Sequence, residues 1–279
     1  SYKSYRIGEF FGPTFEPILF GGNSTSSGII SDPKLRRFTM RSLISILIIM
    51  ALAFNPTAYA DGHGNEATSD GAFTTLMVQA EDVGAYIKAL EASDNVFEAT
   101  GTIAAGYCLT RSGHDYPGQM FVWNAHTSLS SALVASEKYD PMEAPDPALA
   151  KLREVKYGVT WKPLKPFKLD PGFERMIRVV VPAESAVEFV EKISEAEKGV
   201  QAAGHDMNIG VFEPIGGGSH EANTLHVRAI AQNAESFGKI LEDYYAGASY
   251  GEPWNQAFAM VTSVKNDYMQ SCEQVYSAE

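Results

Sequence analysis

The chain of 279 residues is 45% hydrophobic and 20% charged, and its formal net charge at pH 7 is −12. This composition is that of a globular protein, at a length that suits one large or two small domains. Residues 61–279 hold 16 of the 22 basic and 31 of the 34 acidic side chains, which gives this part a formal charge of −15. Such an acidic surface repels phosphate backbones and anionic lipid, so we expect neither nucleic acid nor a membrane surface as a partner.

The first elements in chain order are those of a secretory signal. Arg41 supplies the positive start, residues 43–54 form an apolar run of 12 residues, and Ala58 and Ala60 are the small residues that signal peptidase requires. The apolar run is shorter than the ~20 residues of a transmembrane helix. We therefore predict a signal peptide over residues 40–60 and an exported protein, periplasmic or secreted. An uncleaved membrane anchor is the alternative.

Two segments flank this signal and lie outside the predicted fold. Residues 1–39 show no sustained periodicity and contain the stretch GGNSTSSG, a composition that is typical of disorder. The simplest interpretation is that the protein starts at Met40 and that residues 1–39 are a non-native or disordered upstream segment. Residues 61–71 (DGHGNEATSDG) are predicted to form a flexible N-terminus of the mature protein.

Residues 72–165 predict a first α+β unit. Alternating apolar residues mark its strands, and apolar residues at helical spacing mark its helices, which start at capping residues such as Asp82 and Ser128. In chain order, the predicted elements are a strand at 73–79, a helix from 82, strands at 105–111 and 119–125, helices at 128–139 and 148–154, and a strand at 155–161.

Residues 166–279 repeat this order. The stretch QMFVWNAHTSLSSALVASEKY aligns with TLHVRAIAQNAESFGKILEDYY at an offset of 105, which places Tyr139 on Tyr244. A linker rich in lysine and proline, residues 162–172, joins the two units. The predicted elements of the second unit are a strand at 173–181, a helix at 185–203, strands at 209–215 and 224–230, a helix at 233–245, and a closing strand at 256–264.

Each unit therefore has the ferredoxin-like order β-α-β-β-α-β, an α+β fold with a four-stranded antiparallel sheet and helices on one face. Two tandem copies can bury the other faces by packing sheet against sheet. The element order over residues 72–276 resembles the dimeric α+β barrel superfamily, here as a fused pair. That superfamily includes small monooxygenases of the antibiotic-biosynthesis type, chlorite-dismutase-like haem proteins and stress-response barrels. The resemblance implies a pseudo-dimeric barrel, and because no sequence signature supports it, it implies little about function.

Alternation along the third strand of each unit predicts which side chains face the space between the sheets. Phe121 and Trp123 in the first unit align with His226 and Arg228 in the second. An aromatic wall opposite a histidine and an arginine would orient a small aromatic or anionic ligand. The candidate pocket residues are Phe121, Trp123, Tyr157, Trp161, His226 and Arg228. The alternative is a structural core whose polar tips reach solvent at the barrel rim.

Other histidines give weaker candidates. The pairs His114–Asp115 and His220–Glu221 lie in equivalent hairpin turns and, with His126 and His226, offer metal-ligand chemistry. No fixed ligand spacing supports a metal, so we expect exposed turn residues instead. A haem would need an axial histidine, for which only His226 qualifies. We therefore predict neither a metal nor a cofactor.

Cys108 and Cys272 are the two cysteines of the chain. In an oxidising compartment they can pair. The disulfide would close a loop of more than 160 residues, a constraint worth about 4–5 kcal/mol on the chain-entropy account. Two buried free thiols are the favoured interpretation.

Three functions remain open. The first is an exported, non-catalytic protein that binds a small ligand or a partner through the inter-sheet cavity or the barrel rim. The second is a cofactor-free oxygenase, in which His226 would act as base and Arg228 would stabilise an oxyanion. The third is a structural or assembly module, and a homo-oligomer is compatible with each. The lack of a tight catalytic constellation favours the first. If the protein is an enzyme, we expect an enclosed cavity between the sheets, whereas a binding module can have an open one. If it is a structural module, we expect side chains to fill the space between the sheets, which we call the seam.

Overall fold

The structure, a computed structural model, describes residues 66–67, 70–140, 142 and 147–278, all of which belong to one compact unit. The predicted signal peptide, the upstream segment and most of residues 61–71 lie outside this part of the chain. Among the described residues, no helix combines the length and the apolar character needed to cross a membrane.

Most strands of the described chain close into a single antiparallel barrel. The strands are β1 (Glu66–Ala67), β2 (Ala72–Ala80), β3 (Ala104–Ser112), β4 (Gln119–His126), β5 (Arg153–Pro163), β6 (Phe167–Lys168), β7 (Gly172–Val180), β8 (Met207–Ile215), β9 (Leu225–Ala231) and β10 (Ser263–Ser277). The helices are α1 (Val83–Glu91), α2 (Asp94–Thr100), α3 (Leu129–Lys138), α4 (Pro147–Ala150), α5 (Ala186–Ala202), α6 (Gly218–Glu221), α7 (Ala234–Tyr245) and α8 (Gly251–Ala259).

The barrel keeps the two repeats apart as two four-stranded halves. Its strand order is β10-β3-β4-β2-β5-β8-β9-β7, and β7 pairs with β10 to close it. The first repeat supplies β3-β4-β2-β5 and the second supplies β8-β9-β7-β10, which is the same order in each half. The halves meet where β5 pairs with β8 and where β10 pairs with β3. The predicted α+β class, the duplication and the pseudo-dimeric barrel are confirmed.

Three helices begin at side-chain caps that the sequence contains. Asp82 accepts a hydrogen bond from the Ala85 amide at the start of α1. Ser128 and Asn233, which occupy equivalent places in the two repeats, accept from amides three residues on at the starts of α3 and α7. Each cap satisfies a backbone donor that would otherwise be free, a contribution of about 1 kcal/mol.

The closing strand of the second repeat does not lie at residues 256–264, as the sequence analysis predicted. Helix α8 continues to Ala259, inside that stretch, and β10 starts only at Ser263 and continues for 15 residues. Proline is tolerated in the first turn of a helix, where Pro253 lies. The ring of Phe258 contacts that of Phe189 on α5, with 6.3 Å between ring centroids. The length of β10 lets it pair with β7 and with β3.

The barrel has two ends that differ in what covers them. The hairpin connections 113–118 and 216–224 lie at one end, which we call the turn mouth. The linker residues 164–171 lie at the other end, where Phe167 is buried and its ring centroid is 5.2 Å from that of Phe212. Lys165 is buried beside it and donates to Glu197 on α5 at 2.7 Å. The linker is therefore part of the packed structure.

Candidate functional site

The candidate pocket residues of the sequence analysis lie on the inner surface of the barrel or at its turn mouth. Phe121, Trp123, Trp161 and His226 are buried inside the barrel, Arg228 is half-buried there, and Tyr157 is half-buried at the turn mouth. Trp161 and His226 are in direct contact, with 4.0 Å between their ring centroids. The hydrogen bonds and ion pairs of these side chains determine whether they are available to bind a ligand.

The space inside the barrel is almost completely filled. A cavity of about 30 Å³ remains between Phe121, Trp123, Trp161 and Arg228, which is room for about one water molecule. Cavities that bind small molecules measure about 300–1,000 Å³. The inter-sheet space therefore corresponds to the filled seam and not to an enclosed ligand pocket, and it also leaves no room for a haem.

A disulfide and an ion pair occupy the centre of this seam. Cys108 on β3 and Cys272 on β10 are directly paired in the strand register and form a disulfide, which differs from the favoured interpretation of two free thiols. Arg228 donates two hydrogen bonds to the buried Glu174, at 2.7 and 3.0 Å, and its Nη2 lies 3.1 Å from Cys108 Sγ. The guanidinium of Arg228 is therefore committed to a carboxylate of its own chain.

His226 belongs to a second buried charge network. Arg178 on β7 donates from Nε to His226 Nε2 at 3.0 Å and from Nη2 to Glu221 Oε1 at 2.8 Å. The same His226 nitrogen lies 2.9 Å from Glu221 Oε2. Tyr157 donates its hydroxyl proton to Glu221 at 2.8 Å. A single ring nitrogen can accept from Arg178 or, once protonated, donate to Glu221, but it cannot do both.

Burial determines the charge state of this network. It lowers the pKa of His226 to about 4, because Arg178 and Arg228 add to desolvation and outweigh the attraction of Glu221. Burial alone would raise the pKa of Glu221, but the contacts with His226 and Arg178 outweigh it and lower that pKa. Burial also raises the pKa of Tyr157. At neutral pH the network therefore holds a charged Arg178–Glu221 pair and a neutral His226.

These contacts argue against the catalytic roles that the sequence analysis gave to His226 and Arg228. A base with a pKa of about 4 binds a proton weakly at neutral pH. A guanidinium that already forms two bonds to a carboxylate has little left to stabilise an oxyanion. Both side chains instead hold strands of the barrel together, as buried charges that are paired.

A larger cavity lies outside the barrel, between its first sheet and helix α3. We call it the helix–sheet cavity; it measures about 350 Å³ and opens to solvent beside Ser136 and Asp140. Its wall on the sheet is polar, although this surface of a sheet normally packs on helices. The polar residues that line it are Thr74, Thr75, Thr100, Thr102, Asn124, His126, Ser136, Tyr139, Asp140 and Thr160.

His126 and Asn124 give this cavity its chemistry. His126 is 2% exposed, its Nε2 lies 3.3 Å from Thr74 Oγ1, and its Nδ1 makes no hydrogen bond of normal geometry among the described residues. The Asn124 Oδ1 is also buried without a partner there. Burial lowers the pKa of His126, against a smaller opposite effect of the Gly101 backbone. The ring is therefore neutral at pH 7 and offers a hydrogen-bonding nitrogen.

The second repeat has no such wall. At the offset of 105, Ala229 stands in place of Asn124 and Ala231 in place of His126. Both alanines are buried in the apolar core that α5, α7 and α8 form on the second sheet, together with Phe237. The polar character of the first repeat is therefore not a requirement of the fold.

The turn residues do not assemble a metal site. His114 and His220 are exposed, as expected, but Glu221 is 1% exposed, so the prediction of an exposed turn was wrong for this residue. Within the described chain, three metal-binding side chains converge only at Cys108, Glu174 and Cys272, whose ligand atoms lie within 4.8 Å of one another. Metals bind the thiolate, and the sulfur atoms of a disulfide are not thiolates.

The sequence analysis missed Arg178, Glu174 and Glu221 as partners of the inner histidine and arginine. The alternation that placed His226 inside also places Arg178 and Glu174 inside, because both lie at inward positions of β7, the strand next to β9. Glu221 carried no such signal, because it lies outside the strands, in the short helix α6 between β8 and β9. The helix–sheet cavity did carry a signal, namely the exchange of polar residues for alanine between the aligned repeats.

Comparison with known proteins supports the fold. No family model and no curated protein matches the chain. A "putative monooxygenase" from Lactobacillus acidophilus NCFM superposes with a TM-score of 0.53 at 13% identity, over 74% of this chain and 95% of that one. A second one from Fusobacterium nucleatum gives 0.49 at 10% identity, over 74% and 94%. A mutant chlorite dismutase from Candidatus Nitrospira defluvii gives 0.48 at 10% identity, over 75% and 92%. The superposition with a TM-score of 0.53, together with the strand order, shows the dimeric α+β barrel fold as a fused pair, and an identity of 13% shows the fold alone.

Proposed function

We propose that this protein binds a small, uncharged molecule with hydroxyl or amide groups in the helix–sheet cavity of its first repeat, without converting it. The observation that carries the proposal is the pair of atoms His126 Nδ1 and Asn124 Oδ1, which belong to buried cavity-lining side chains and make no hydrogen bond of normal geometry among the described residues. Buried polar atoms without partners destabilise a protein by about 1–3 kcal/mol each. A ligand that bonds to them would remove this cost.

The size and lining of the cavity support a small organic ligand. Its volume of about 350 Å³ is at the lower end of the range for small-molecule sites. Apolar side chains, among them Leu76, Val159 and Ile215, line it next to the polar ones. This mixture suits a molecule with an apolar body and a few polar groups.

The charge of the cavity supports an uncharged ligand. No lysine or arginine is among its lining residues, and His126 is neutral because burial lowers its pKa. The nearest charged lining group is the carboxylate of Asp140 at the rim. An anion would therefore lose its hydration without gaining a counter-charge.

The test is a titration of the ¹⁵N-labelled full chain with phenol, an uncharged probe with a ring and a hydroxyl group, followed by NMR. We expect shifts of amides in β2, β4 and α3. Ala135→Leu, which adds three carbon atoms where α3 lines the cavity, should abolish these shifts. Ala202→Leu, the same change at an exposed position of α5, should leave them unchanged. Shifts that persist in Ala135→Leu would place the probe elsewhere and refute the proposal.

A second candidate is an enzyme of the oxygenase type, and the neutral His126 favours it. A neutral imidazole with an open nitrogen can accept a hydrogen bond from the hydroxyl of a bound phenol, which makes the phenol oxygen and ring more electron-rich. In this version His126, and not His226, would polarise the substrate. Oxygen consumption with an electron-rich phenol, measured with an oxygen electrode, distinguishes the two candidates. Consumption that His126→Gln abolishes supports the enzyme, and no consumption supports the binding protein.

We also propose that the protein is exported after cleavage between residues 60 and 61. The three-part signal at residues 40–60 motivates this, and a disulfide between Cys108 and Cys272 suits an oxidising compartment. N-terminal sequencing of the protein from a bacterial periplasmic or culture fraction tests it. A mature chain that begins at Asp61 is the expected result, and retention of an intact residue 40–60 segment in the cytoplasm would contradict it.

A further inference from the structure

The turn mouth of the barrel carries a cleft that differs in charge from the helix–sheet cavity, because lysine and arginine side chains line it. The cleft measures about 600 Å³ and lies between the hairpin connections of the two repeats and the start of β10. It shares no lining residue with the helix–sheet cavity. The barrel core closes its floor, where Arg178 lies.

Positive charge converges on this cleft in a strongly acidic protein. Lys156, Arg178 and Lys265 line it, and Asp115 is the one carboxylate among its lining residues. Outside the lining, Glu154 pairs with Lys156 at 2.7 Å and the buried Glu221 pairs with Arg178 at 2.8 Å. Asp115 already accepts a hydrogen bond from the Tyr268 hydroxyl at 2.7 Å. Lys265 is exposed and has no ion-pair partner among the described residues. Because the rest of the surface repels anions, such a cleft concentrates them locally.

Arg178 lines the cleft and donates hydrogen bonds from all three of its guanidinium nitrogens. Its Nε and Nη2 donate to His226, Glu221 and Tyr157, and its Nη1 donates to Asn266 Oδ1 at 2.8 Å. A guanidinium carries five N–H donors. One of the two Nη1 hydrogens therefore has no acceptor among the described residues. The network fixes the position of the guanidinium, so that it is preorganised to receive an additional acceptor.

Aromatic rings form the other walls of the cleft. The rings of Tyr157 and His220 stack with 4.3 Å between centroids and 4° between planes. Lys156 Nζ lies 5.0 Å from the ring centroid of Tyr116, a cation–π contact, and the Tyr116 hydroxyl is buried without a partner among the described residues. Flat walls next to cations suit a ligand that is itself flat and negatively charged.

We infer that the turn-mouth cleft binds a small aromatic carboxylate, with its carboxylate toward Lys265 and Arg178 and its ring against the Tyr157–His220 stack. This inference is independent of the proposed function, because it concerns other residues and a ligand of different charge. The two sites would let the protein hold a neutral and an anionic aromatic molecule separately.

The test is isothermal titration of the full chain with benzoate, and with benzamide as its uncharged counterpart. We expect benzoate to bind at least tenfold more tightly than benzamide and more weakly as salt rises. Lys265→Gln should weaken benzoate binding about threefold to tenfold, the usual effect of one lost charge at a partly exposed site. Lys239→Gln removes a lysine from the exposed side of α7 and is the matched control.

Three outcomes would overturn the inference. Equal affinities for benzoate and benzamide would show that the negative charge does not contribute to binding. Equal effects of Lys265→Gln and Lys239→Gln would show that benzoate does not bind in the cleft. If inorganic phosphate bound as tightly as benzoate, the aromatic rings of the cleft would not contribute to the affinity. Because Ala135→Leu blocks only the helix–sheet cavity, benzoate binding should be unchanged in that variant, so the two proposals can fail separately.

Discussion

The buried His226 makes a quantitative prediction about acid stability. Its pKa is lowered from 6.5 to about 4 in the folded protein, so between these values the unfolded chain binds a proton that the folded chain does not. The contribution to stability is therefore fully present above pH 6.5 and is lost as the pH falls, at up to about 1.4 kcal/mol per pH unit. Between pH 7 and pH 4.5 the free energy of unfolding should fall by about 2 kcal/mol through this residue alone.

The assay is urea denaturation at several pH values between 7 and 4.5. The lowered pKa of Glu221 adds a fall of the same sign only at the acid end of this range, because its unfolded value is 4.5. His126, whose pKa is also lowered, adds a second component of the same sign. The fall should therefore be shallower in His226→Gln, in which the new amide can still accept from Arg178, and also in His126→Gln. His114→Gln, in an exposed turn, is the control. Equal slopes in wild type and His226→Gln would refute the reasoning.

Four further predictions concern stability and are read from urea midpoints. The double variant Cys108→Ala/Cys272→Ala should lose about 5 kcal/mol, the chain-entropy value for a separation of 164 residues; an unchanged midpoint would contradict this. Glu221→Gln leaves its buried arginine partner unpaired and should cost about 3–5 kcal/mol; a loss below 1 kcal/mol would show that water reaches the pair. Gly106→Ala would put a methyl group 2.1 Å from the Glu273 carbonyl and should cost about 1–3 kcal/mol. Gly238→Ala, which meets no atom within 4 Å on α7, should stabilise by about 0.5–1 kcal/mol.

Periodicity and duplication were enough to predict the barrel, because the elements predicted in one repeat could be compared with those predicted in the other. The offset of 105 aligned β4 with β9 and α3 with α7, and the alternation in both copies indicated the same buried face. The failure at residues 256–264 arose where the copies differ. Helix α8 has nine residues, whereas α4, which lies between the corresponding elements of the first repeat, has four, and an apolar stretch such as AFAMV fits a short strand as well as a helix.

The candidate site was less predictable, because alternation gives the face of a side chain but not its partners. The inward positions of His226 and Arg228 followed from the strand pattern, whereas their neutralisation by Glu221 and Glu174 depends on the arrangement of strands around the barrel. The volume of a cavity also cannot be predicted from the alternation of apolar and polar residues. Large rings such as those of Phe121 and Trp123 can line a pocket or fill it, and here they fill it.

The difference between His126 and Ala231 illustrates what gene fusion permits. In a barrel made of two identical subunits, symmetry forces every substitution to occur twice, so a polar wall in one subunit weakens both. A fused barrel is released from this constraint. One half can keep an apolar interface between its sheet and helices and supply stability, as Ala229 and Ala231 do. The other half is then free to diverge toward recognition, and selection can act on each half separately.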